Sequence, residues 1–134
     1  MSYKITQRVV DLVTDLISDG YDGEVTITNS YPSGARSVLE EAFSVQITGF
    51  CKESLYITED LNTEDIVFVG RYSLERCERE ASVEDIVDTA WGMYKSYKDY
   101  SNYGLPSEFQ SLFITYGYII ERTVTKTVYE EKSK

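Results

Sequence analysis

The chain has 134 residues, 23 of them acidic and 13 basic, with no histidine, for a formal net charge of -10. A surface of that sign is repelled by phosphate, so DNA or RNA is excluded as an easy direct ligand and a basic partner is favoured. The missing imidazole also removes the usual general base at neutral pH and the commonest zinc and iron ligand.

Hydrophobic residues at 42% and charged ones at 27% give a globular balance. A chain of this length fits a single domain over residues 1–134, burying about two-thirds of the surface its unfolded form would expose. Cys51 and Cys77 have no CxxC spacing, so they are expected to be reduced thiols, and no metal or other cofactor is expected. Met1 to Thr6 runs straight into an amphipathic pattern without the apolar core of a signal peptide, and no stretch approaches the ~20 apolar residues of a membrane span. A cytoplasmic protein, of the producing or infected cell, is the expectation.

The first helix is predicted over Ile5 to Ile17, with Val9, Leu12, Val13 and Leu16 between them on one apolar face and Gly20 as its stop. After the Tyr21-Asp22-Gly23 turn, Glu24 to Asn29 alternates as a strand, with Val25 and Ile27 expected inward. Residues from Phe43 to Phe50 alternate again through Val45 and Ile47, with Gly49 as a candidate bulge. Ser54 to Glu59 and Ile66 to Tyr72 complete two hairpins, turning across Gly49 to Glu53 and across Asp60 to Asp65. The segments Arg36 to Ala42 and Leu74 to Glu80 mix helix formers with neighbouring β signals and stay ambiguous.

Ser82 with Asp85 three residues on predicts a capping box and a long helix, whose apolar face carries Val83, Ile86, Val87, Ala90, Tyr94 and Tyr97. Trp91 and Met93 fall on its flanks. Gly92 falls on the polar side, where its conformational cost suggests a close contact with another backbone. Ser107 and Gln110 suggest a second capping box for a short helix through Phe109, Leu112, Phe113 and Tyr116, stopped by Gly117. Tyr118 to Tyr129 has the composition of an edge strand, and Glu130 to Lys134 is expected to be a loose tail. The sum is an α+β domain: a mainly antiparallel sheet of four to five strands, an N-terminal helix, and one long plus one short helix before a C-terminal strand.

Two constellations are candidates for binding a partner. Asp11, Asp15 and Asp19 recur every four residues, a row with about 6 Å of rise between neighbours. Like charges at that spacing repel, and Asp15 and Asp19 oppose the negative end of the helix dipole, so the row is locally unfavourable. It is either a tolerated solvated face or a ladder of negative charge offered to a basic groove. Among the tyrosines spaced by three at Tyr94, Tyr97, Tyr100 and Tyr103, the first two suit the core, while Tyr100 and Tyr103 flank a polar loop as aromatic anchors for a partner.

Other clusters are weaker. Asp60 to Asp65 imitates a calcium loop, but Asp65 and Arg71 stand where glycine and glutamate are required. The acids Glu75, Glu78, Glu80, Glu84, Asp85 and Asp88 are diluted by Arg76 and Arg79, as on an ordinary charged surface. No nucleophile, oxyanion hole or phosphate-cradling glycine pattern accompanies the carboxylates, so no catalytic residue and no enzyme are predicted. In size and charge the chain resembles small phage accessory inhibitors and immunity proteins to nuclease toxins, a likeness of class that assigns no residue roles. It implies a non-enzymatic acidic binding protein, a phage-encoded inhibitor of a host nuclease or nucleic-acid-handling defence complex, acting through a nucleic-acid-mimicking surface. The alternatives are an assembly subunit forming a homo-oligomer and a protein sequestering a nucleotide-like ligand, its phosphate held by arginine.

Overall fold

The computed structural model describes residues 3–28, 41–48, 53–70, 74–77, 80–98 and 105–121. In chain order these form β1 (Tyr3–Lys4), α1 (Gln7–Asp19), β2 (Val25–Thr28), β3 (Ala42–Thr48), β4 (Glu53–Asp60), β5 (Asp65–Val69), β6 (Leu74–Cys77), α2 (Val83–Lys98), a 3-10 turn (Ser107–Phe109) and α3 (Gln110–Thr115). The fold is α+β, as the pattern of the sequence predicts.

The sheet is antiparallel throughout its pairings and runs β2-β3-β4-β5-β6, so its neighbours are consecutive in the chain. β1 pairs with the end of β4, where Tyr3 faces Asp60, beyond the last residues that β3 covers. Leu74–Cys77 resolves as a strand because β5 offers it an edge: Val67 faces Arg76 and Phe68 faces Glu75. The irregularity expected at Gly49, which lies outside the described residues, has a counterpart slightly earlier, where the β3–β4 register shifts between Gln46 and Thr48.

Alternation divides the sheet residues between two faces. Val45, Ile47, Leu55, Ile57, Ile66 and Phe68 point toward the helices and join Val9, Leu12, Leu16, Ile86, Val87, Phe109, Leu112 and Phe113 in the main core. Ala42, Val67 and Val69 form a smaller buried group with Tyr3 on the other face. There Arg76 donates to Asp60 at 2.9 Å and to the Tyr3 hydroxyl at 3.2 Å, tying β6 to β4 and β1. Burial alone would raise the Asp60 pKa, but the Arg76 guanidinium, helped by the Asn62 amide and Thr63, outweighs it and holds the carboxyl below the usual aspartate value. The calcium-like run is therefore a turn whose first carboxylate is engaged by Arg76 and by the Asn62 backbone N–H.

The helix ends follow local chemistry. Gly20, at φ 131°, closes α1 by donating its N–H to the Ile17 carbonyl while Tyr21 donates to Leu16, a Schellman arrangement. Gly117, at φ 83°, closes α3 the same way, with Tyr118 donating to Phe113. At the start of α2 the expected capping box is formed: Ser82 N donates to Asp85 Oδ2 at 2.7 Å and Asp85 N to Ser82 Oγ at 3.4 Å.

Several expectations need correction. Ile17 is half exposed, because α1 turns it past the edge of the apolar stripe. Ile27 is 63% exposed: among the described strands β2 stands at the end of the sheet and Ile27 projects beyond the cover of the helices, whereas Val25 reaches the core. Met93 is a core residue rather than a flanking one. The second capping box does not form, since Ser107 enters a 3-10 turn and neither that turn nor α3 has a side-chain cap. Among the described residues a Cβ on Gly92 would meet nothing within 4 Å, so none of their backbone approaches it. Tyr118 to Glu121 is bend and coil; the remainder of the expected C-terminal strand, the segment 36–40 and residues 130–134 lie outside the described residues. Among the described residues no helix is long and apolar enough to cross a membrane.

Candidate functional site: an acidic face on two helices

The face is built by the register of α1. With Val9, Leu12, Val13 and Leu16 committed to the core, helical spacing leaves Asp11, Asp15 and Asp19 exposed along one flank. Gln7 Nε2 donates to Asp11 Oδ1 at 2.8 Å, and the Tyr116 hydroxyl donates to Asp19 Oδ2 at 3.2 Å. The second helix contributes its own acids. Glu84 and Asp88 are exposed on α2, and the Tyr118 hydroxyl donates to Asp88 Oδ1 at 2.7 Å.

Tyr116 and Tyr118 are the hinge between the two sets. Gly117 turns the chain so that both hydroxyls reach carboxylates, one on each helix. Trp91, in α2, fixes Tyr118 by ring contact at 5.3 Å and is itself packed edge-on against Phe113 at 5.0 Å. The phenols register the shared field. Burial, the bond to Asp19, and the charges of Asp19 and Glu84 raise the Tyr116 pKa. Burial, the bond to Asp88, and the charges of Asp88, Glu84 and Asp85 push Tyr118 up to about 12. Glu84 acts on both rings, so the acids of α2 adjoin the Asp19 end of the α1 row beside the two phenols.

Between the row and the segment leading into α2 lies a groove of about 570 Å³. Leu12, Ile66 and Val83 line it with apolar surface. Asp11, Asp15 and Asp19 stand on one side, and Glu80, Ala81 and Ser82 also border it, with Tyr116 among the lining groups. Among the described residues the cation lining this groove is Arg8, whose guanidinium contacts Glu59 Oε1 at 3.1 Å and donates to the Glu64 carbonyl at 2.8 Å.

The sequence-predicted acidic row is thus brought together, along one groove. Tyr100 and Tyr103, the expected aromatic anchors, lie outside the described residues. Tyr116 and Tyr118 were not singled out as site residues by sequence reasoning, their only local signal being their placement on either side of Gly117, and Glu80, Glu84 and Asp88 were read as part of an ordinary charged surface. Among the described residues no group of histidine, cysteine or carboxylate side chains could hold a metal ion. Cys77 is a poor nucleophile, because burial and the nearby charges of Asp85, Glu75 and Asp65 raise its pKa. The chemistry this face offers is therefore electrostatic attraction of cationic groups. No family model matches the chain, and neither a curated protein nor a solved structure is similar to it at a significant level.

Proposed function

We propose that the chain is a non-enzymatic binding protein whose α1–α2 acidic face occupies the positively charged site of a nuclease or another nucleic-acid-handling protein. The observation that carries this reading is the convergence of two sequence-separated sets of acids on one face, at a local electrostatic cost to the protein. Exposed carboxylates on rigid helices present negative charge at fixed spacing, as a nucleic-acid backbone does, and they steer a basic partner into contact. A phage-encoded antagonist of a host defence complex, working in the cytoplasm of the infected cell, is the setting that suits this chemistry.

Affinity capture from bacterial lysate at low salt, followed by identification of the bound protein and competition with duplex DNA, tests the reading. The expected result is one nucleic-acid-binding protein that DNA displaces, and a loss of about 100-fold in affinity when Asp11, Asp15 and Asp19 are all replaced by lysine. A partner that DNA does not displace, or binding indifferent to the triple substitution, would overturn it.

A further inference from the structure

We propose that the groove beside α1 is a receptor for an arginine side chain of the basic partner, its alkyl stem on Leu12, Ile66 and Val83 and its guanidinium at the carboxylate rim. The inference rests on the acidic-face reading and goes beyond it, because a nucleic-acid-like surface needs only charge whereas this site combines charge with shape. The volume of about 570 Å³ is large enough to take a long side chain in a groove open to solvent. Its apolar lining suits the methylene stem of a long cationic side chain, which gains by lying on hydrocarbon while its head stays polar. Its rim carries Asp11, Asp15, Asp19 and Glu80, and the chain's own Arg8 is drawn off toward Glu59 and Glu64. Among the described lining residues four carboxylates stand against one cation, so the mouth attracts an incoming positive charge.

Arginine fits better than lysine for two reasons. Its planar guanidinium has five donors and can serve carboxylates on more than one side, where an ammonium acts as a point charge. Tyr116 also lines the groove, and a guanidinium binds an aromatic face more readily. A phosphate-bearing ligand is disfavoured by the same carboxylates.

The test titrates the full chain with hexa-arginine and with hexalysine peptides, followed by backbone amide NMR. Expected are saturable shifts confined to the neighbourhood of Leu12, Asp15, Ala81 and Val83, and tighter binding of the arginine peptide by about fivefold or more. Ala81→Phe, which fills the groove without changing charge, is expected to weaken that binding about tenfold. Ala81→Met is the substitute if the phenylalanine variant loses its dispersed spectrum. Equal affinity for the two peptides, or groove-filling variants that bind as the native chain does, would overturn the arginine receptor. In that outcome sensitivity to the triple lysine substitution would leave the acidic-face reading standing, so the two fail separately.

Discussion

Tyr21 joins three parts of the molecule, two through its hydroxyl and one through its ring. Its oxygen accepts from Gln46 N at 2.9 Å and lies 3.0 Å from the Glu24 carbonyl, while its ring meets Phe109 edge-on at 5.1 Å. Burial pushes its pKa up to about 12, the Gln46 N–H works against the rise, and the charges of Glu108 and Glu24 add to it. The unfolded phenol ionises near 10, so between about pH 10 and about pH 12 the unfolded chain has released a proton that the folded one keeps. Stability present below pH 10 is accordingly lost across that window. Tyr21→Phe is expected to cost about 1–3 kcal/mol at neutral pH, because Gln46 N–H loses its acceptor, and to flatten this alkaline decline. Urea unfolding from pH 7 to 12 measures both, and an unchanged alkaline slope would count against the assignment. Beside Tyr21, Gly23 shows a residue whose role the sequence hid. It reads as a turn glycine, yet its φ is not positive; a Cβ there would stand 2.5 Å from the Tyr21 hydroxyl and 2.8 Å from Glu108 Cγ. Packing excludes the side chain, and packing of this kind has no local sequence signal.

At the scale of elements, Gly92 is the exposed weak point of α2. Glycine inside a helix forfeits backbone entropy, and open space around the missing Cβ means that alanine would meet no clash. Gly92→Ala is expected to stabilise the domain by about 0.5–1 kcal/mol and raise Tm by a few degrees in a thermal melt; a lower Tm would mean that α2 needs the glycine for a reason other than space. Elements governed by their own periodicity or caps were legible in the sequence: the apolar stripe of α1, the Ser82–Asp85 box, and the β3 to β5 hairpins. Those decided by a neighbour were not. Leu74–Cys77 contains helix formers and becomes a strand through its ladder with β5. Ser107 carries the motif of a cap but begins a 3-10 turn instead. Ile17 and Ile27 fit their stripes by spacing yet fall beyond the reach of the opposing layer.

The whole molecule carries a net charge of -10, and six of its acids, Asp11, Asp15, Asp19, Glu80, Glu84 and Asp88, stand along the groove or beside Tyr116 and Tyr118. Self-repulsion of that kind weakens the compact state, and salt screens it with a Debye length of about 8 Å at physiological ionic strength. Tm is therefore expected to rise by several degrees as sodium chloride is added to a low-salt buffer, measured by circular dichroism. A falling Tm would show that ion pairs such as Arg76–Asp60 outweigh the repulsion. Of the candidate site, the spacing of Asp11, Asp15 and Asp19 was visible in the sequence because it depends on one helix. Its union with Glu80, Glu84, Asp88 and the two tyrosines was not, because that depends on how α1, α2 and the end of α3 meet.

The strand order bears on how the chain finds this arrangement. From β2 to β6 each strand lies beside its predecessor, and from β3 onward only four residues separate consecutive strands, so that part of the sheet can zip outward one hairpin at a time. β1 is the exception: its partner, at the end of β4, lies most of half the chain away, and the described residues pair as Tyr3–Asp60 and Lys4–Glu59. On loop-closure grounds it docks after the hairpins have formed. Once docked it is fastened by the burial of Tyr3 and by the bond from Arg76 to the Tyr3 hydroxyl, a late clasp on a sheet assembled without it.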